Sequence, residues 1–96
     1  MASGDQIKAR HILLDSEEKA MEIIKKLQAG GEFAKLASEY STGPSAASGG
    51  DLGWFGEGQM VPEFDEAVWT LPLNSVSTPV KTQFGYHLIW VHEREE

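Results

Sequence analysis

The chain has 96 residues, 41% of them hydrophobic, which suits one domain and leaves too few residues for a second core. With no cysteine, disulfides, thiolate metal sites and thiol chemistry are excluded, and packing alone must hold a fold of this size together. A formal charge of -7, with the basic residues scattered, argues against binding to nucleic acid.

No run approaches the roughly 18 apolar residues of a membrane span, and Met1 to Gln6 lacks the charged and apolar regions of a signal peptide. Residues 1–6 read as a short natural leader or a cloning scar, 7–93 as the domain and 94–96 as a tail. Ile7 to Leu14 reads as a strand facing core on one side, with Ile7, Ala9, His11 and Leu13 on one face and Lys8, Arg10, Ile12 and Leu14 on the other. Asp15 with Glu18 three residues on fits an N-cap and capping box. Ala20, Ile23, Ile24 and Leu27 follow at helical spacing, which predicts a helix from about Ser16 to Ala29, stopped by Gly30-Gly31. Phe33, Leu36, Ala37 and Tyr40 give a second helix, packed by an aromatic at each end and finished near Ser41.

From Thr42 to Gly50 the run TGPSAASGG has no periodicity and reads as an exposed, mobile loop. Leu52, Trp54 and Phe55 suggest a short strand, and Gly53, Gly56 and Gly58 a compact corner. Pro62 suits the first turn of a third helix carrying Phe64, Ala67, Val68 and Leu71, which Pro72 ends. Ser77 to Thr82 and Tyr86 to His92 read as closing strands joined at Gln83-Phe84-Gly85. The order predicts an α+β domain with a mainly antiparallel sheet and helices over it.

His11 and His87 each have apolar same-face neighbours, Ala9 and Leu13 for one, Ile89 and Val91 for the other, so both are expected to point inward. Two readings stand side by side: core histidines satisfied by hydrogen bonds, or members of a site. A zinc site with His92 is disfavoured, because His87 and His92 are five apart on a strand and face opposite ways. Glu17, Glu18, Glu22, Asp65 and Glu66 fall on helix faces expected to be exposed. Ser41, Ser45 and Ser48 lack any recognised nucleophile turn, and the glycine runs make no phosphate loop. Leu52, Met60, Phe64, Trp69 and Phe84 form an apolar group that is either ordinary core or, at loop-borne Met60 and Phe84, the lining of a groove.

The run GGDLGWFGEGQMVPEF from Gly49 to Phe64, followed by Pro79-Val80-Lys81-Thr82-Gln83-Phe84-Gly85-Tyr86-His87, closely resembles the signature of the parvulin family of prolyl isomerases. The strand Arg10-His11-Ile12-Leu13 and the LASEYS end of the second helix match in the expected order, so the resemblance covers about Ile7 to Val91. It implies a four-stranded, mainly antiparallel sheet surrounded by helices, with a groove for a prolyl ring. By position, Leu52, Met60, Phe64 and Trp69 would form the proline pocket, Gln59 would lie beside it, and Phe84 would stand at its rim. His11, Thr82 and His87 would form a hydrogen-bonded floor. Gly43 stands where many members carry Cys or Asp, a side chain assigned a catalytic role, which puts rate rather than binding in question.

The resemblance further implies a monomer without cofactor or metal, acting on proline-containing peptides and on unfolded or folding proteins. Phosphate-directed parvulins carry a basic cluster after the first strand, where this chain has Asp15-Ser16-Glu17-Glu18, so unphosphorylated X-Pro bonds are the expected substrates. A non-catalytic peptide-binding or chaperone domain using the same groove is the alternative. A complete chain would read as cytoplasmic, and a domain of an exported foldase as extracytoplasmic.

Overall fold

A computed structural model of the chain describes residues 6–95; residues 1–5 and 96, which hold most of the expected leader and the end of the expected tail, lie outside the described residues. The elements are β1 (Gln6–Leu14), α1 (Glu17–Gln28), α2 (Phe33–Tyr40), a 3₁₀ helix (Pro44–Ser48), β2 (Asp51–Gly56), α3 (Pro62–Thr70), β3 (Val80–Thr82) and β4 (Gly85–Glu95). The four strands form one sheet in the order β2-β1-β4-β3, every neighbouring pair antiparallel. This is the α+β architecture expected from the sequence. Among the described residues no helix is long and apolar enough to cross a membrane.

Helices cover the sheet on both sides, which corrects the expectation that β1 meets core on one face alone. Ile12 and Leu14 of β1 and Leu88 of β4 pack under Ala20, Ile23, Phe33, Leu36 and Ala37 of α1 and α2. On the other face Ile7, Ala9, Ile89 and Val91 pack against Phe55, Phe64 and Val68. The central strands therefore bury apolar side chains in both directions, the pattern of a three-layer stack rather than a sheet with one wet face.

Local chemistry moves several boundaries. Ser16, not Asp15, caps α1: its backbone is extended (φ -150°, ψ 155°) and its hydroxyl accepts from the Lys19 amide at 3.2 Å. Asp15 instead pairs with the Lys19 ammonium at 3.2 Å. Phe33 is buried at the start of α2, whereas Tyr40 at its end is exposed, so one aromatic packs this helix instead of two. The segment Thr42 to Gly50 holds the short 3₁₀ helix, entered through Pro44 and closed by Gly50 N–H donating to the Ser45 carbonyl at 2.9 Å. β3 keeps three residues, because Pro79 brings no N–H to the ladder; upstream of it Val76 makes a single bridge to Trp90. β4 runs to Glu95 and pairs with β1 as far as Gln6.

The junction between β1 and β2 depends on one glycine. Gly50 has φ +83°, its carbonyl accepts from His11 N–H at 3.0 Å, and an added Cβ would collide with the His11 carbonyl oxygen. Gly58 has the same φ of +83° with nothing within 4 Å of an added Cβ. The two positions separate backbone strain from close approach. Gly58→Ala is expected to cost about 1–2 kcal/mol of stability, and Gly50→Ala more than that, because a strand edge must also move. Urea unfolding of both variants measures the difference, and equal losses would contradict the close-approach account.

Candidate active site

Register brings the functional side chains together. In the β1/β4 ladder His11 stands opposite Ile89 and Leu13 opposite His87, which makes the two histidines diagonal neighbours on the α3 face. In the β3/β4 hairpin Val80 stands opposite His87, so Thr82 is its diagonal neighbour on that face. The result is a chain of short contacts. Thr82 Oγ1 lies 2.8 Å from His87 Nε2, His87 Nδ1 lies 2.9 Å from His11 Nδ1, and His11 Nε2 lies 3.0 Å from Ser45 Oγ. Phe84 N–H donates to Thr82 Oγ1 at 3.1 Å and ties the network to the hairpin turn.

Above this floor opens an apolar groove of about 470 Å³. Phe64 of α3 forms its back wall, set edge-on to His11 (5.6 Å, 85°) and to His87 (5.3 Å, 78°). Leu52, Met60 and Val61 continue the wall from β2 and the glycine corner, and Leu13 and Pro44 close the opposite side. Phe84, 61% exposed, stands at the rim. Gln59 lies on the corner, where its Oε1 accepts from Gly56 N–H at 2.8 Å. Asp65, expected to be a solvated helix carboxylate, holds the same corner by accepting from Gly58 N–H at 2.9 Å.

Of the residues singled out in the sequence, His11, Leu52, Gln59, Met60, Phe64, Phe84 and His87 line this groove, and Thr82 supports it from behind. Trp69 does not line it. Five residues after Phe64 on a helix it is turned well away from the groove-facing side, and it packs half-buried on the flank of the core instead. Gly43 is buried beside the floor; an added Cβ would lie 3.5 Å from Leu13 Cδ2 and 3.8 Å from His11 Cε1, which is ordinary contact. Leu13, Pro44, Ser45 and Val61 were missed. Leu13 was legible from its alternation with His11, but Ser45 depends on a 3₁₀ turn that no periodicity announces.

The segment Asp15 to Glu18 is not part of the groove wall. Asp15 borders a separate hollow with Lys19, Glu22, Lys26, Glu39 and Tyr40, so the acidic stretch after β1 does not line the groove. A further hollow of about 500 Å³ opens on the other side of the sheet, beside Phe33, Trp90 and His92. Volume does not choose between it and the groove; only the groove combines apolar walls with the linked histidines. His92 lies tilted at 45° against Trp90, ring centroids 4.5 Å apart, away from that pair.

Burial lowers the His11 pKa from 6.5 to about 4, with the neighbouring His87 adding to the effect, and burial alone takes His87 from 6.5 to about 4. Both rings are neutral at pH 7. The sign of the linkage follows: the unfolded chain binds protons on these rings as pH falls below 6.5, while the folded protein resists down to about 4. Their contribution is therefore complete above pH 6.5 and is lost progressively towards pH 4. We expect the melting temperature to decline between pH 6.5 and 5, before most carboxylates titrate, while ring ¹⁵N shifts of His11 and His87 stay those of neutral imidazoles. A ring titration midpoint near 6.5 would refute the burial argument.

The arrangement has known counterparts. The family described as PPIC-type PPIASE domain matches residues 1–95. The foldase protein PrsA of Halalkalibacterium halodurans is 51% identical over 92 residues, which are 95% of this chain and 28% of that protein. The crystal structure of PrsA from Bacillus subtilis superposes with a TM-score of 0.90 at 49% identity, covering 98% of this chain and 37% of that one. NmPin, the parvulin of Nitrosopumilus maritimus, has a TM-score of 0.83 at 41% identity, covering 93% of this chain and 97% of its own. The chain thus spans less than a third of the curated foldase and nearly the whole of the small parvulin. With its antiparallel sheet, its helices and its two linked histidines, the chain belongs to the PpiC-type peptidyl-prolyl isomerase domains, the parvulin family.

Proposed function

We propose that this domain catalyses cis/trans isomerisation of X-Pro bonds in unphosphorylated peptides and folding proteins, by a non-covalent mechanism that uses no cofactor. The observation that carries the reading is the groove itself, an apolar cleft backed by Phe64 and floored by two neutral imidazoles. Rotation about the peptide bond faces a barrier of roughly 18–20 kcal/mol because the twisted state loses amide resonance. Water donating to the carbonyl favours the planar, charge-separated form. A cleft that strips this water and grips the ring on Met60, Leu52 and Phe64 lowers the cost of twisting, and no bond need be made or broken. The histidines fix the shape and polarity of the floor without transferring a proton.

One feature favours a second reading, a peptide-binding domain without catalysis: Gly43 leaves the floor without a side chain at the position where the resemblance to the parvulins implies a Cys or Asp. NMR exchange on short Ala-Pro peptides distinguishes the two. Isomerisation faster than the uncatalysed tens to hundreds of seconds is expected, and binding without acceleration would establish the second reading. Met60 is half-buried and Phe64 is core, so Met60→Ala is the cleaner probe of the pocket. Losing part of its apolar contact, about 1–1.5 kcal/mol, is expected to lower kcat/KM five- to tenfold with little change in stability. Unchanged turnover in the folded variant would remove Met60 from the pocket.

Selectivity follows from charge. Among the described residues lining the groove there is no Lys, Arg, Asp or Glu, and its histidines carry no charge at pH 7. A phosphoserine before proline, at about -2, finds no counter-charge there and meets a chain of net charge -7. Matched Ala-Pro, Glu-Pro and phosphoserine-Pro peptides are expected to rank in that order of kcat/KM, with the gaps narrowing as salt shortens the Debye length from about 10 Å at 0.1 M. Preference for the phosphopeptide would overturn this assignment.

A further inference from the structure

We propose that Ser45 is a further catalytic group of this site, whose hydroxyl donates a hydrogen bond to the prolyl peptide unit as it twists. The proposal rests on the isomerase reading and deepens it. Its basis is the direction in which hydrogen bonds run along the network.

Thr82 is buried, and its Oγ1 has two partners: the Phe84 amide, which can only donate, and His87 Nε2. The Thr82 hydrogen therefore goes to His87 Nε2, since the reverse sense would bury that hydrogen with no acceptor. A neutral His87 that accepts at Nε2 carries its proton on Nδ1 and donates it to His11 Nδ1 across 2.9 Å. His11, accepting there, carries its own proton on Nε2 and donates it to Ser45 Oγ across 3.0 Å. Each link fixes the next. The chain begins at a backbone amide on the groove rim and ends with a serine oxygen that accepts from the protein and has a hydrogen left to give.

Ser45 lines the groove and is only half-buried, so that hydrogen can reach a bound peptide. Its backbone is fixed by Gly50 N–H on the Ser45 carbonyl at 2.9 Å, and its place in the 3₁₀ helix by Ala46 N–H on the Gly43 carbonyl at 3.1 Å. Gly43, two residues earlier, places no side chain beside the His11 ring. A planar amide nitrogen has no free lone pair, whereas the twisted prolyl nitrogen does. A donor aimed at that nitrogen therefore binds the transition state better than the ground state, which is the condition for catalysis. No proton leaves Ser45 and no bond is exchanged.

The test has two independent readouts. By NMR, the ring ¹⁵N shifts and couplings of the wild-type protein are expected to show His11 as the Nε2–H tautomer and His87 as the Nδ1–H tautomer. The opposite pair of tautomers would overturn the proposal whatever the activity. In peptide exchange assays Ser45→Ala is expected to lower kcat about tenfold with peptide affinity nearly unchanged, and to lower the melting temperature as well, because the buried His11 Nε2–H loses its acceptor. Ser45→Thr, which keeps the hydroxyl, is expected to restore most of both. Wild-type turnover in Ser45→Ala, or a Ser45→Thr variant as slow as Ser45→Ala, would remove Ser45 from catalysis while leaving the isomerase reading intact. A wild-type protein that accelerates nothing would sink both.

Discussion

The hydrogen bond between two buried imidazoles, Nδ1 to Nδ1 at 2.9 Å, is the constraint around which this fold is arranged. Two neutral rings can meet in this way when one carries its proton on Nδ1 and the other does not, and each must then find a partner for its remaining nitrogen. One partner comes from the β3/β4 hairpin and the other from the 3₁₀ helix after α2, so distant parts of the chain converge on one pair of side chains. A one-residue slip between β1 and β4 would send the rings to opposite faces and leave four polar atoms to be satisfied elsewhere. The register of the sheet and the chemistry of the floor are thus a single requirement.

The two faces of the sheet divide the work. Under α1 and α2 the contacts are aliphatic and aromatic, with Ile12, Leu88, Ile23 and Leu36 making an uninterrupted core. Under α3 the core is continuous from Ile7 to Val68 and gives way to the histidines only towards the C-terminal end of β1, where the groove opens. Phe64 serves both sides of that boundary: it packs in the core, meets Phe55 at 6.2 Å and also lines the cleft. Such a residue couples stability to activity. Met60 and Leu52, half-buried on the wall, are less committed to the core.

Much of this was legible in the sequence, for physical reasons that particular residues make plain. The helical spacing of Phe33, Leu36 and Ala37 and the alternation of His87, Ile89 and Val91 each allow one regular element, and the inward histidines followed from their neighbours. What failed were inferences from one segment about another. Ile12 and Leu14 showed that β1 was apolar on its second face too, but only the packing of α1 and α2 reveals that this face is core. Trp69 was placed in the pocket by position in the resemblance, whereas the helical turn from Phe64 decides its direction. Asp15 to Glu18 was weighed against the basic cluster of phosphate-directed parvulins by resemblance alone, and in the structure Asp15 borders a different hollow. Ser45 was set aside for want of a triad; its role in the network arises from a short 3₁₀ turn in a segment of small residues.

Two glycines near the site obey different rules, and the contrast bears on its chemistry. Gly50 is demanded by a positive φ and by the His11 carbonyl, so the backbone chooses it. Gly43 has φ -84° and room for a Cβ, so the backbone does not. The consequence of glycine there is electrostatic. A carboxylate at that position would lie beside the His11 ring and favour its protonated form, raising a pKa that burial otherwise holds near 4. A protonated His11 has no acceptor nitrogen left, and the sense of the hydrogen-bond chain from Phe84 to Ser45 would be lost with it. Burial keeps both rings neutral at neutral pH, and glycine at position 43 adds no charge beside His11 to oppose it. The missing side chain and the burial of the rings thus act in the same direction, and the polarity the floor presents to the groove comes from the hydroxyl at position 45 rather than from a charge at position 43.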